Sequence, residues 1–236
     1  MLVNPDFSLR AVVTPDQHRW VASPQSGVER VLLDRLGGEQ ARATSLVRYA
    51  KGSSFPEHVH AQGEEILVLD GTFSECGHDY PAGWYLRNPP GSSHCPSSEN
   101  GATLFVKLRQ MSHEEREVVR IDTRDPSRWL AREGRDVCAL FRDETETVWL
   151  ERVAPNGRID RSLDDTFLEG GAEVLLLEGT LHDRDSQRHC DDVYLEGSWI
   201  RTPPSHRPTF IAGDEGATVY IKTGHLGAVA AQETRR

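Results

Sequence analysis

Apolar positions along the chain fall in short runs broken by glycine, proline and asparagine, and no stretch before Met111 carries a convincing 3.6-residue period. β-Branched and aliphatic residues at Gly27–Leu33 and Ala43–Ala50, separated by Gly37-Gly38, predict a hairpin. Further strands are predicted at Glu65–Leu69, Thr72–Glu75, Trp84–Arg87 and Leu104–Leu108, with Asp70-Gly71 as the turn that closes the first of them. The polar stretch from Met1 to about Gln25 reads as an arm with one edge strand around Arg10–Val13, of a kind that often packs on a partner subunit.

After a charged connector at Met111–Glu117 the pattern restarts. His18-Arg19-Trp20 is echoed by Ser127-Arg128-Trp129, and EEILVLDGTF at Glu64–Phe73 by AEVLLLEGTL at Ala172–Leu181. GWYLRNPP at Gly83–Pro90 is echoed by GSWIRTPP at Gly197–Pro204. Gly101 to Thr103 with Lys107 is echoed by Gly216 to Thr218 with Lys222. The order is kept throughout, so the chain reads as a duplicated domain, residues 1–111 and 112–236. Each half has many short strands and frequent turn signals, which predicts an all-β fold, a double-sheet jelly roll or small barrel.

Composition narrows the function classes. A formal charge of -10 and a pI near 5.5 argue against general affinity for nucleic acid or anionic membrane. No apolar run approaches the roughly 18 residues needed to span a bilayer. The first twenty residues lack the apolar core of a signal peptide, so a cytoplasmic location is expected. Four cysteines without a C-x-x-C pair make no disulfide framework. Cys95, beside His94, is expected to be a small buried filler.

Residues 52 to 94 carry the chemistry, as G-x5-H-x-H-x3-E-x6-G followed by G-x5-P-x-G-x2-H. With His58 and His60 on one strand and Val59 pointing away, His58, His60, Glu64 and His94 can converge on one divalent metal. A mixed nitrogen and oxygen set suits zinc or iron(II), and also manganese, nickel or copper. Four closed tetrahedral ligands would make zinc structural, whereas an octahedral metal would keep two positions open.

These two motifs resemble those of the cupin superfamily. HVHAQGEEILVLDG with YPAGWYLRNPPGSSH is similar to the cupin domain of the ChrR group, zinc-dependent anti-sigma factors, and of ChrR-like two-cupin proteins. The resemblance implies two tandem cupin domains, each a double-stranded β-helix or jelly roll. It also carries the family's ligands onto His58, His60, Glu64 and His94.

In the second half, aligning Gly157 with Gly52 places Leu163 and Asp165 at the two-histidine positions, Ala172 at Glu64 and Pro208 near His94. That half is expected to be a degenerate cupin without the metal. The longer hairpin at 181–193 is rich in donors but matches no metal spacing.

Two function classes follow. One is a mononuclear metal-dependent enzyme of the non-haem iron(II) dioxygenase type, acting on a small carbonyl or diketone compound, with Phe55, Tyr80, Trp84 and Tyr85 as candidate pocket residues. The other is a zinc-binding sensory protein resembling the cupin half of ChrR, or a noncatalytic small-molecule-binding cupin. Direct sigma-factor binding is not expected, because the helical zinc domain that precedes the ChrR cupin has no counterpart in the poorly helical stretch before the first strand. A homodimer is the default assembly.

Overall fold

The computed structural model describes every residue except 39, 160–169, 186–189, 205, 207 and 228–236. The elements bounded within the described residues are β-strands apart from single 3₁₀ turns at Pro15–Gln17 and Pro126–Arg128. The chain divides into two units, Met1–Pro5 with Arg19–Asp125, and Asp6–His18 with Pro126–Arg236.

In the first unit the sheet runs, neighbour to neighbour, Leu2–Val3, Val28–Leu36, Arg42–Tyr49, Ala102–Leu108, Glu64–Glu75, Trp84–Asn88 and Val119–Asp122. In the second the order is Trp129–Arg132, Arg135–Arg142, Thr147–Val153, Phe210–Thr223, Ala172–Asp185, Trp199–Thr202 and Ala11–Val13. All pairings are antiparallel. The register repeats as well: Glu64 stands opposite Asn88 and Leu108, and Ala172 opposite Thr202 and Thr223.

The division differs from the expected halves 1–111 and 112–236. Strand Val119–Asp122 pairs with Trp84–Asn88 of the first unit, and Ala11–Val13 pairs with Trp199–Thr202 of the second. Each repeat therefore lends its leading strand to the other repeat's sheet. Strands of the amino-terminal arm also pair within the chain, with Leu2–Val3 on Val28–Leu36.

A second correction concerns Asp70-Gly71. Glu64–Glu75 is one continuous strand, not two closed by a turn. Residues up to Gly71 pair with Ala102–Leu108, and those after it pair with His78–Pro81. Gly71 has φ 71°, and a Cβ there would collide with the Gly101 carbonyl, so glycine permits a bend that lets the strand pass from one sheet to the next. The inward residues of these strands, among them Val28, Val47, Ile66, Phe73, Leu86 and Leu104, form the core of the first unit. No helix among the described residues is long and apolar enough to cross a membrane.

Candidate metal centre

His58–Val59 is a two-residue strand paired with Ser93–His94, with His58 directly opposite His94. His60 lies one residue beyond it. Its N–H donates to the Ser92 carbonyl at 2.9 Å, and its carbonyl accepts from Gly91 N–H at 2.8 Å. Gly91 holds φ 84° in that turn, a conformation that disfavours a side chain. Val59 is 65% exposed while His60 and His94 are buried, so alternation turns the flanking imidazoles inward as expected. Glu64 opens the long strand Glu64–Glu75 beside them.

The three histidine ligand atoms lie within 4.8 Å of one another. His60 Nε2 and His94 Nε2 are 2.7 Å apart, and Glu64 Oε2 stands 3.3 Å from the first and 3.4 Å from the second. Donors that share a metal at about 2.0–2.1 Å stand roughly 3 Å apart, so His60, His94 and Glu64 fit a single ion, with the His58 ligand atom within 4.8 Å of the other imidazole donors. Ring orientation fits too. His58 Nδ1 is 2.9 Å from the Pro56 carbonyl, and His94 Nδ1 is bonded to Glu75 Oε2, which leaves each Nε2 facing the centre.

Glu75 is the residue the motif reading missed. Its second oxygen accepts from Arg120 Nη2 at 2.6 Å, and Arg120 also donates to Asn88 Oδ1 at 2.6 Å and to the Tyr80 hydroxyl at 3.3 Å. Asn88 Nδ2 in turn lies 3.4 Å from both Glu64 Oε2 and Glu75 Oε2. The available signal was the repeat, because Glu75 and Asp183 occupy equivalent positions on the two long strands.

These neighbours push the imidazoles apart. Burial is the largest influence on His60 and holds its pKa below the ordinary value, only partly offset by the Glu64 charge. Burial acts the same way on His94, but the Glu75 hydrogen bond and the charges of Glu64 and Glu75 outweigh it and raise the pKa. Glu75 itself is held low because His94 and Arg120 overcome its burial. The Tyr49 phenol is pushed far up by burial and by the two carboxylates.

A cavity of about 370 Å³ opens beside the cluster, lined by His58, His60 and Glu64 and by apolar side chains including Tyr49, Ile66, Phe73 and Leu104. Of the four expected pocket aromatics only Phe55 lines it. Tyr80 and Trp84 pack in and against the hydrophobic core and Tyr85 is fully buried, as aromatic residues on a pleated core face tend to be. Cys95 is exposed, not buried, with its thiol 3.2 Å from the Phe55 carbonyl. His94 on its short strand points inward, so the next residue points out.

In the second unit Ala172 holds the register of Glu64. Counting back from the equivalent pairs Ser54↔Ser97 and Arg158↔Ile211 puts Pro208 at His94 and sets Asn156, which shares the positive φ of Gly52, where the sequence alignment had placed Gly157. Neither Ala172 nor Pro208 can bind metal by a side chain. Leu163 and Asp165, as well as part of the 181–193 hairpin, lie outside the described residues. Among those described, the histidine trio of the first unit is the one cluster with ligand geometry.

Residues 8–112 match the ChrR cupin-like domain family, and over most of its length the chain has the fold of two-cupin proteins. A candidate dioxygenase from Nostoc punctiforme superposes with a TM-score of 0.68 at 13% identity, covering 96% of this chain and 83% of its own. A candidate glyoxylate-induced protein from Pseudomonas aeruginosa gives 0.70 at 15% identity, covering 90% and 87%. A bacterial pirin from Escherichia coli, solved with nickel(II), gives 0.65 at 11% identity, covering 91% and 98%. No curated protein matches in sequence.

Proposed function

We propose that this cupin chain is a mononuclear metal-dependent enzyme of the non-haem iron(II) dioxygenase type, acting on a small carbonyl or diketone compound. The metal ligands are His58, His60, Glu64 and His94. The observation that carries the reading is the convergence of three imidazoles and a carboxylate, of which His58, His60 and Glu64 line a cavity of about 370 Å³. That volume lies at the small end of the roughly 300–1,000 Å³ typical of ligand pockets. A metal held there supplies Lewis-acid polarisation of a carbonyl oxygen and, as iron(II), electrons for dioxygen chemistry. Glu75 fixes the tautomer of His94, and much of the cavity wall beside the cluster is apolar. Likeness to the Nostoc protein supports the reaction class.

A second reading, a zinc-holding sensory module, is favoured by the match of residues 8–112 to the ChrR domain. One experiment separates them: metal analysis of protein purified without added metal, followed by oxygen uptake with a panel of diketones. Iron with substrate-dependent oxygen consumption supports the enzyme. Tightly held zinc without turnover supports the sensor and overturns the dioxygenase.

A further inference from the structure

Strand Val28–Leu36 forms part of the cavity wall, and simple alternation would turn Arg30 and Arg35 to opposite faces, since they are an odd number of residues apart. The pairing with Arg42–Tyr49 shifts register between Leu32 and Asp34, which inserts one residue and reverses the alternation beyond it. Asn4 donates to the Leu33 carbonyl at the shift, at 2.7 Å. Val28, Arg30 and Arg35 therefore all line the cavity.

Arg35 is 7% exposed and donates to the Gly38 carbonyl. Arg30 Nε is buried without a hydrogen-bond partner, and among the described residues no ion pair joins either guanidinium to a carboxylate. Burial first, and the charge of Arg35 second, press the Arg30 pKa down. Of the other charged cavity residues, Glu64 belongs to the histidine cluster and Arg109 donates to Gln62 at 2.9 Å.

A cation at the register of Arg30 is not part of the repeat; the second unit's cation, Arg135, lies two residues away on the same face and is paired with Glu151 at 3.3 Å. Arg30 pairs with Val47 and Val47 with Leu104, and the same registers in the second unit lead from Val219 to Glu151 to Val137. The unit without the ligand set thus carries a valine where the unit with it carries an unpaired, half-buried arginine. A buried cation without a partner is costly, and an anion from solution removes that cost.

We propose that Arg30 and Arg35 are the recognition site for a carboxylate, so that the compound reaching the histidine cluster is a short-chain carbonyl acid. The carboxylate end stands on the cavity and the arginines, while the carbonyl end rests on the metal-dependent reading above. A guanidinium offers paired N–H donors that match a carboxylate, and the anion also relieves the repulsion between the two arginines. The apolar wall between them and the cluster accommodates the carbon chain.

The test is calorimetric titration of the full chain, metal-free and metal-loaded, with 5-oxohexanoate, whose carbonyl and carboxylate stand at opposite ends of a short chain, and with 2,6-heptanedione, which carries a methyl group in place of a carboxylate oxygen. The acid should bind at least about tenfold more tightly in both states. Arg30→Met should abolish that difference, leave metal content unchanged and raise the Tm of the ligand-free protein. Equal affinities, a preference that survives Arg30→Met, a lowered Tm, or tighter binding of inorganic phosphate would each overturn the proposal. An intact acid preference in a protein that takes up no metal would support the arginine site while removing the metal-dependent reading.

Discussion

Both units contain the same buried cluster, built with different amino acids. In the first, Glu75 accepts from Arg120, which also reaches the Tyr80 hydroxyl; in the second, Asp183 pairs with Arg10 at 2.5 Å, and Arg10 reaches the Tyr194 hydroxyl at 3.0 Å. The carboxylates and tyrosines are equivalent by register, and the arginines lie in or directly before a strand lent by the opposite repeat, Val119–Asp122 and Ala11–Val13. The arginines themselves are not at equivalent positions. Arg120 follows Val119, whereas Arg10 precedes Ala11, two positions apart on one face of the strand. The cross-strand row Glu65, Arg87, Lys107 likewise recurs as Glu173, Arg201, Lys222. At the site itself, among the described residues, Glu64, His94 and Arg30 become Ala172, Pro208 and Val137. The lesson is that the scaffold and the chemistry separate cleanly. Glu75 belongs to both, as a scaffold carboxylate whose second oxygen orients a ligand.

The largest effect should come from removing a ligand. His94→Ala or His60→Ala should take metal content from one per chain to near none, measured by elemental analysis after dialysis, because three remaining donors with one imidazole missing no longer enclose the ion. Leu163→Ala and Asp165→Ala should leave it unchanged. Two metals per chain, with the second lost on Asp165→Ala, would break the contrast between the units.

Next in size is the effect of the shared cluster on stability. Asp183→Asn leaves the buried Arg10 guanidinium without its counter-charge, and breaking such a pair costs about 3–5 kcal/mol. Denaturant unfolding should show this loss with no change in metal stoichiometry. A loss of metal on Asp183→Asn would mean that the second unit takes part in binding after all.

Much of this arrangement is legible in the sequence because it is local. The ligand pattern spans residues 58 to 94, its glycines and prolines fix the turns, and alternation alone tells that Val59 points away. The repeat is legible because glycine turns and strand lengths are shared. The rest depends on events that leave no local trace. A register shift at Leu33 decides that Arg30 and Arg35 face one cavity, and strand exchange decides that Arg120 meets Glu75, 45 residues distant. The bend at Gly71 reads as a hairpin turn because aspartate-glycine serves both purposes, and only the sheet crossing distinguishes them.

A smaller effect is expected at Glu75. Glu75→Gln keeps the shape but weakens acceptance from His94, and loss of such an orienting partner costs roughly 10- to 100-fold in metal affinity. Isothermal titration with zinc at mildly alkaline pH measures it. An unchanged affinity would show that Glu75 serves the scaffold only, as Asp183 does.

The smallest effect is one of pH, and it has two opposing parts. Each imidazole must lose its proton to bind metal, so affinity falls as pH drops through the metal-free pKa of each ligand, near 6.5 for an ordinary histidine. His94 is raised above that value, because the Glu75 bond and the neighbouring carboxylate charges outweigh its burial, while burial lowers His60. Proton competition should therefore begin on the alkaline side of the ordinary histidine range, at His94, and His60 should compete only at lower pH. Glu75→Gln removes the leading cause that raises His94. The variant should bind more weakly than the native protein at alkaline pH, yet start to lose affinity at a lower pH, so that the two affinity curves converge as the solution is acidified. Parallel curves would mean that Glu75 acts on the metal through charge alone and does not govern the proton on His94.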